Sequence, residues 1–263
     1  MEEGGPSDRC CRTVDIVIPV LNEAHVLADS VATVRAFAAE ALIEYHWTIT
    51  IVDNGSTDGT DVVGAELAAR FPDVGFTSLT ELGRGRALRH VWTHSTADIV
   101  CYTDVDLSTE LAALPKLLRV IANGECDVAT GSRLLPTSQT TRSRKRELVS
   151  RCYNALIKLL FWNTFSDAQC GFKAVSRRVV TEIVPRVKNQ SWFFDTELLL
   201  LAEKSGYRIA DIPVRWIEDD DSRVKIAATA WEDIKGLLRV RWTLWHLWMQ
   251  GARRNAGSKY PAY

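Results

Sequence analysis

Two carboxylates at the end of a short apolar run are the residues in this sequence best suited to chemistry. Asp104 and Asp106 follow the run 99–102, which is typical of a buried strand. Side chains two residues apart in an extended segment point to the same side, so both carboxylates can face one point beyond the strand. Carboxylate oxygens are preferred ligands of Mg²⁺ and Mn²⁺. The pair predicts a metal site, although a helix cap and a solvated turn residue would explain the same short pattern.

The elements that must position this pair alternate between strands and helices. Apolar and β-branched residues predict strands, and helical spacing predicts helices between them, with the strands at 14–20, 47–52, 74–79, 99–103 and 127–131. This alternation is typical of parallel βαβ units with helices on both faces of the sheet. Right-handed crossovers bring the carboxyl ends of such strands to one edge, where open α/β sheets bind ligands. We therefore expect Asp53, at the end of the second strand, to lie near Asp104.

Turn residues and composition set further boundaries. Asn22 is predicted to cap a helix that begins near residue 23, Ser56, Thr57 or Asp58 can cap the next helix, and a further helix is expected from about residue 86 to residue 95. The polar, basic stretch 136–147 is interpreted as a mobile loop. Residues 208–217 are interpreted as one strand, and Pro213 favours a position for it at the sheet edge.

Length and charge exclude several classes of protein. The chain has 263 residues with a formal net charge of −1, which favours a globular α/β protein over one that binds nucleic acid. No apolar run is long enough for a transmembrane helix, and no signal peptide is evident. The six cysteines lack the spacing of metal ligands. Together these features predict a cytoplasmic chain with reduced, structural thiols.

The C-terminal segment combines tryptophans with basic residues. Trp242, Trp245 and Trp248 are spaced by three, and the flanking positions carry several lysines and arginines. A basic helix with Trp and Leu is typical of segments that lie in a membrane interface. A helix that packs in the core or in a dimer would show a similar pattern. We expect peripheral contact of this helix with the membrane.

Six short motifs resemble those of a known family. Four of them are similar to family 2 glycosyltransferases of the GT-A fold, which is Rossmann-like: P-V-L-N-E at 19–23, V-D-N-G-S-T-D-G-T at 52–60, G-R-G-R-A at 83–87 and D-V-D-L-S at 104–108. Two more, D-x-Q-x-G-F-K at 167–173 and F-D-x-E at 194–197, resemble the dolichyl- or polyprenyl-phosphate hexose synthases, which make mannosyl- or glucosyl-phosphoryl lipids.

This resemblance implies an enzyme, its substrates and its site residues. It implies hexose transfer from a nucleotide-sugar of the UDP-glucose or GDP-mannose type to a polyprenyl or dolichyl phosphate, and we expect inversion at the anomeric carbon. It implies that Asp104 and Asp106 bind Mg²⁺ or Mn²⁺, and that Arg133 meets the acceptor phosphate while Asp195 lines the sugar pocket. The remaining donor-binding residues that it implies are Pro19, Val20, Asn22, Glu23, Asp53, Ser56, Gly83, Arg84, Arg86, Asp167, Gln169, Ser222 and Arg223.

The sequence departs from the family pattern at three places. Asn54 replaces the usual second aspartate of the second motif, arginines replace the common lysine of the third, and Ser108 stands where a glutamine often supports the metal. The missing transmembrane segment and the departures at Asn54 and Ser108 leave room for a soluble family member that acts on a hydroxyl of a small molecule, for which Asp195 is the candidate base. A nucleotidyltransferase is disfavoured because no glycine-rich basic loop follows the first strand. A binding module with a degenerate site is disfavoured by the intact acidic residues.

Composition and the resemblance together predict how the chain is organised. The expected parts are a disordered N-terminus at 1–12, a GT-A domain at 13–233 with a nucleotide-binding half at 13–133 and an acceptor half at 134–233, an amphipathic helix at 234–254 and a flexible tail at 255–263.

Overall fold

The computed structural model describes residues 12–217 and 226–257. Its strands are β1 (Arg12–Val20), β2 (Tyr45–Asp53), β3 (Val74–Ser78), β4 (Ile99–Thr103), β5 (Val128–Ser132), β6 (Gln139–Thr141), β7 (Phe172–Ser176), β8 (Ile209–Pro213) and β9 (Arg215–Ile217). Seven of them form one sheet in the order β3-β2-β1-β4-β7-β5-β8, and β6 pairs with β9 in a separate two-stranded sheet. The predicted strands of the first half are all present.

Every strand of the large sheet is parallel to its neighbours except β7. This strand runs antiparallel to both β4 and β5. The sequence analysis did not predict it, because a segment of five residues that contains Lys173 lacks a continuous apolar run. Its reversed direction brings its amino end to the edge where the neighbouring strands have their carboxyl ends. The loop that precedes β7 therefore lies beside the loop that follows β4.

Helices cover both faces of the sheet, as predicted. They are α1 (Ala24–Ala41), α2 (Thr60–Arg70), α3 (Arg84–His94), α4 (Leu114–Ala122), α5 (Arg144–Phe161), α6 (Arg177–Glu182), α7 (Phe194–Lys204) and α8 (Ile226–Gly257), with short 3₁₀ turns at Leu111–Ala113 and Val184–Arg186. Apolar residues of α1, α2 and α4 form the core on one face. Those of α3, α5, α6, α7 and α8 form the core on the other. Side chains of β4 alternate between these two cores, as the period of a strand requires.

An aromatic cluster fixes α3 and α7 beneath the carboxyl edge of β4. The buried ring of Trp92 lies 5.9 Å from the Tyr102 ring and 6.0 Å from that of Phe194, measured between centroids. Gly85 allows the close approach, since a Cβ atom there would lie 2.5 Å from Cβ of Phe194. The first turns of α3 and α7 are thereby held next to the end of β4.

Several predicted boundaries in the first half are wrong. Arg12, expected in the disordered N-terminus, already pairs with Tyr45 in the sheet, and residues 1–11 lie outside the described residues. Asn22 does not cap α1. It adopts φ of 56°, and its side chain binds the loop that follows β2. Glu23 occupies the cap position without a side-chain hydrogen bond. Helix α3 begins at Arg84 rather than near residue 86.

Three predicted segments of the second half also differ. The stretch 136–147 is not a loop throughout: it contains β6, and its basic residues open α5, where the Ser143 side chain accepts a hydrogen bond from the Arg146 backbone. The strand expected at 208–217 is divided at Val214, and only its first part, β8, forms the edge of the large sheet. The C-terminal helix begins at Ile226 instead of residue 234, and the expected tail begins inside it.

The described helices include none that is long and apolar enough to cross a membrane. One sheet contains strands from both expected halves, since β7 and β8 belong to the acceptor half. The two halves therefore share one sheet and the cores on both of its faces.

Gly236→Ala tests how α8 packs on α7. A Cβ atom at this position would lie 2.5 Å from the ring of Phe193, which is 1% exposed. We expect a loss of about 1–3 kcal/mol in the free energy of unfolding, because overpacking outweighs the gain in helix propensity. Gly75→Ala is the control, since its nearest neighbour is 3.8 Å away, and it should be neutral or slightly stabilising. Equal effects in urea unfolding would contradict the predicted contact.

Candidate active site

The loops after β1 and β2 form one hydrogen-bonded cluster. Asp53 is 1% exposed at the end of β2, and its carboxylate accepts hydrogen bonds from the Ser56 backbone at 3.1 Å and from Ser78 Oγ at 2.8 Å. The Asn22 backbone donates to Ser56 Oγ at 2.8 Å, while Asn22 Oδ1 accepts from the Thr57 backbone at 2.8 Å. The left-handed backbone at Asn22 permits this pair of contacts. The first two motifs are therefore brought together.

The other residues of these two motifs lie around this cluster. Pro19 and Val20 lie beside the last two residues of β2 in the parallel pairing. The Glu23 backbone donates to Thr60 Oγ1 at 2.8 Å. Asn54, the departure from the family pattern, is buried, and its backbone donates to the Val20 carbonyl at 3.0 Å.

Arg84 connects the end of β4 with the start of α7. Its Nη2 lies 2.5 Å from Asp104 Oδ1, and its Nη1 lies 3.2 Å from Asp195 Oδ2. The guanidinium also lies 5.0 Å from the ring centroids of Tyr102 and Trp192. Burial alone would lower the pKa of Arg84, but the neighbouring carboxylates raise it well above its usual value. The group is therefore a permanent cation at this edge.

The two arginines of the third motif point to different places. Arg86 forms an ion pair with Glu81 and lines a separate cavity of about 330 Å³, together with Arg89, His90, Thr93 and Pro185. Its backbone donates to the carbonyl of Gln190 at 3.0 Å. Gly83 has φ of 145° and lies against the same carbonyl, where a Cβ atom would overlap. The structure thus brings Arg84, but not the side chain of Arg86, to the carboxylates.

Asp195 is buried among three hydrogen-bond donors. Tyr102 donates its hydroxyl to Oδ1 at 2.6 Å, and Lys173 Nζ lies 3.2 Å from the same oxygen. Arg84 binds the other oxygen. Burial and the adjacent Asp195 raise the pKa of Tyr102 well above its usual value, so the phenol stays a donor. Lys173 has no exposed surface and also donates to the Cys170 carbonyl.

The sequence analysis assigned no role to Tyr102 or Lys173. The only signals were their positions, since Tyr102 precedes Asp104 by two residues on the same strand and Lys173 ends the fifth motif. Neither signal predicts that both side chains would meet Asp195, because that contact depends on the reversed direction of β7 and on the packing of α7.

Asp104 and Asp106 suit a divalent cation that also binds phosphate. Both carboxylates are accessible, with the Asp104 side chain 40% exposed, and Asp106 Oδ1 accepts a hydrogen bond from the Ser108 backbone at 3.0 Å. Gly171 leaves room at Asp104, since a Cβ atom there would overlap the carboxylate. The described part of the chain contains no group of three His, Cys, Asp or Glu that could hold a metal. Two carboxylates, completed by substrate phosphates and water, match the way Mg²⁺ is usually bound.

Arg133 and Asp167 form a buried, bidentate ion pair. Arg133 Nε lies 2.7 Å and its Nη2 lies 3.0 Å from the two carboxylate oxygens, and its backbone also donates to Oδ2. Burial would raise the pKa of Asp167, but Arg133 more than offsets it and the pKa is lowered. Arg133, expected to meet the acceptor phosphate, and Asp167, expected in the sugar pocket, thus bind each other. Trp216 of β9 lies 5.6 Å from the guanidinium.

The last predicted residues lie near α8 or outside the described chain. Gln169 Nε2 donates to Asp233 Oδ2 of α8 at 2.9 Å. The sequence analysis did not single out Asp233, which is 4% exposed. Ser222 and Arg223 lie outside the described residues.

Strand order, the reversed β7 and the accessible aspartate pair after β4 together match the GT-A type of fold. The chain belongs to glycosyl transferase family 2, whose family model matches residues 15–184. The predicted family and fold are confirmed.

Two glycosyltransferases that are similar in sequence support membership of this family. Glycosyltransferase AglD of Haloferax volcanii is 34% identical over 236 residues, which cover 88% of this chain and 37% of AglD. The dolichyl-phosphate beta-glucosyltransferase ALG5C of Trichomonas vaginalis is 29% identical over 223 residues, which cover 80% of this chain and 66% of that protein. The chain therefore spans only part of the length of both.

A solved structure shares the fold. Glucosyl-3-phosphoglycerate synthase from Mycobacterium tuberculosis, in complex with Mn²⁺, UDP and phosphoglyceric acid, matches with a TM-score of 0.67 at 20% identity, over 88% of this chain and 78% of that one.

Lys173→Met tests the buried charge cluster. Removal of one cation leaves the buried Asp195 carboxylate with less compensation, and we expect a loss of about 3–5 kcal/mol in the free energy of unfolding. Adding Asp195→Asn should recover part of it, so that the double variant is more stable than the sum of the single effects predicts, by about 0.5–3 kcal/mol. The exposed Lys158→Met is the control and should change stability by less than about 0.5 kcal/mol. Strict additivity in urea unfolding would rule out the coupling.

Proposed function

We propose that this protein transfers a hexose, with inversion, from a nucleotide-sugar of the UDP-glucose or GDP-mannose type to a polyprenyl or dolichyl phosphate at a membrane surface. The names of the relatives support the acceptor and favour glucose, since ALG5C and the Saccharomyces cerevisiae relative are dolichyl-phosphate beta-glucosyltransferases. The UDP in the structural neighbour supports a uridine donor for a first test.

The environment of Asp195 is the observation that carries the choice of acceptor. A hydroxyl acceptor needs a base within hydrogen-bond reach of its proton. Both oxygens of Asp195 already accept from cations or a phenol, namely Arg84, Lys173 and Tyr102. Neither oxygen is therefore left without a donor, and neither is placed to take the proton of an acceptor hydroxyl. A phosphate monoester carries a charge of about −1.5 to −2 at neutral pH and needs no base, so it is the acceptor that this site suits.

The chemical step needs no proton transfer when the acceptor is a phosphate. An oxygen of the acceptor phosphate attacks the anomeric carbon as the bond from that carbon to the donor diphosphate breaks, and the nucleoside diphosphate leaves with the bonding electrons. Arg84 lies beside Asp104, where its guanidinium can meet diphosphate oxygens. Asp104 and Asp106 would hold Mg²⁺ or Mn²⁺, which supplies charge neutralisation for the leaving diphosphate.

The nucleoside end of the donor belongs with the cluster of Asn22, Asp53 and Ser56. This cluster lies at the same sheet edge as Asp104, because β1, β2 and β4 are parallel neighbours. Arg133 meets the acceptor phosphate in this proposal. Arg133 remains bound to Asp167, and the ring of Trp216 lies against one side of its guanidinium.

Exposed tryptophans on α5 and α8 support contact with the membrane on its cytoplasmic side. Trp162, at the end of α5, is 74% exposed, and the Arg241 guanidinium of α8 lies 5.6 Å from its ring. Trp242 and Trp245 are 62% and 47% exposed on α8, with ring centroids 5.4 Å apart. Adjacent aromatic rings and a cation match the chemistry of an anionic bilayer interface. Residues 247–257 continue the same helix.

A transfer assay tests the acceptor. The purified chain is incubated with UDP-glucose or GDP-mannose, Mg²⁺ or Mn²⁺, and a short-chain polyprenyl phosphate, with the same polyprenol lacking the phosphate as the matched control. We expect lipid-linked hexose with the phosphate alone, and none after chelation by EDTA or in Asp104→Asn. Asp195→Asn should retain activity within about tenfold. Product from the free polyprenol, with a loss of about 10²–10⁴-fold in Asp195→Asn, would reject the proposal in favour of a hydroxyl acceptor.

Vesicle flotation tests the membrane surface. The double variant Trp162→Ala/Trp242→Ala should partition onto anionic vesicles at least about tenfold less than the unaltered chain, since each ring buries a large apolar area at the interface. Ile43→Ala is the control, because Ile43 is 79% exposed at the far end of α1. Unchanged flotation of the double variant would exclude this surface.

A further inference from the structure

Helix α8 inserts an acidic side chain next to the candidate active site. Asp233 is 4% exposed, and its Oδ2 accepts a hydrogen bond from Gln169 Nε2 at 2.9 Å. Gln169 lies two residues before Gly171, which is in contact with the Asp104 carboxylate. One turn further along α8, Gly236 packs directly on the ring of Phe193, two residues before Asp195. These two contacts fix Asp233 between the loop before β7 and the start of α7.

Tyr153 of α5 provides independent evidence for this location. Its hydroxyl lies 3.0 Å from Thr196 Oγ1, on the residue after Asp195. Burial raises the pKa of Tyr153 well above its usual value, and the nearby carboxylates Asp233 and Asp195 contribute to the same shift. The Tyr153 hydroxyl therefore lies beside the start of α7, which agrees with the position that the Gln169 and Gly236 contacts give Asp233.

The second oxygen of Asp233 has no hydrogen-bond partner among the described residues. A buried polar atom without a partner is uncommon and destabilising, so it requires an explanation. Burial raises the pKa of Asp233 to about 6, which leaves the group mainly ionised at neutral pH. Oδ1 is thus an acceptor without a donor in the part of the chain that the structure describes.

The chemistry of this oxygen limits what it can bind. A carboxylate repels phosphate, which excludes the donor diphosphate and the acceptor phosphate as partners. A hydroxyl group is the suitable partner. The ribose of the donor belongs with the cluster after β1 and β2, so the hexose is the hydroxyl-bearing part of the substrate that lies near Asp104 and Asp195.

We propose that Asp233 is a specificity-determining residue that accepts a hydrogen bond from one hydroxyl of the donor hexose, so that α8 completes the sugar pocket. This inference rests on the proposed use of a nucleotide-sugar. It assigns to the C-terminal helix a role in the donor site in addition to its exposed tryptophans.

Donor binding to the full chain tests this assignment. The dissociation constants of UDP-glucose and of UDP, each with Mn²⁺, are measured by calorimetry for the unaltered chain and for Asp233→Asn, which exchanges the free acceptor for a donor at the same volume. We expect UDP-glucose to bind about tenfold more weakly and UDP to bind equally well. GDP-mannose and GDP are measured in parallel. Glu232→Gln, at the exposed neighbouring position, is the matched control and should change neither constant.

Deoxy donors identify the hydroxyl. Removal of one hexose hydroxyl at a time should weaken binding to the unaltered chain, and for one analogue this loss should disappear in Asp233→Asn. Asp233→Ser, which removes both carboxylate oxygens without adding volume, must show the same selective loss. An equal loss for UDP and UDP-glucose would show that Asp233 only holds the helix, and no loss would show that it does not contact the sugar; either result overturns the assignment. Normal UDP-glucose binding without transfer to the lipid phosphate would reject the proposed acceptor alone.

Discussion

The ion cluster around Asp195 is the constraint on which the candidate site depends. An unpaired charge in a protein interior costs several kcal/mol, so a buried carboxylate must be accompanied by its partners. Those partners come from separate elements: Arg84 opens α3, Tyr102 lies in β4 and Lys173 lies in β7. None of these elements can move away without leaving a buried charge uncompensated. The need to keep Asp195 paired therefore fixes the relative positions of α3, β4, β7 and α7.

The reversed strand is the topological feature that makes this cluster possible. A parallel strand between β4 and β5 would present its carboxyl end at the binding edge. The loop before it would then lie at the opposite edge of the sheet, where the amino ends of the parallel strands are. Because β7 is antiparallel, the loop that carries Asp167, Gln169 and Gly171 meets the loop of Asp104 instead. The strands expected to bind the nucleotide and the residues expected to meet the acceptor therefore share one edge of one sheet.

The sequence predicted the strand ends well because local signals determine them. Asp53 and Asp104 follow apolar runs directly, so a prediction of the strands also locates the side chains. Arg86 shows where this reasoning fails: α3 begins at Arg84, and two residues along a helix differ in direction by about 200°, so the two arginines point to opposite sides. The pairing of Arg133 with Asp167, 34 positions apart, depends on tertiary packing, and no local pattern encodes it. The same holds for Lys173 and Asp233.

Helix α8 has one face that is proposed to contact the donor sugar and another that is proposed to contact the membrane. Its inward face carries Asp233, Gly236, Leu237 and Val240 at helical spacing, and its outward face exposes Leu238, Trp242 and Trp245. A helix with its side chains is about 10–12 Å across, so the two faces are separated by no more than that distance. A lipid phosphate must stay at the depth of the head groups, and the sugar must reach it without leaving its pocket. In the proposed arrangement α8 contacts both the bilayer and the hexose, and it would therefore set the height of the anomeric carbon above the membrane.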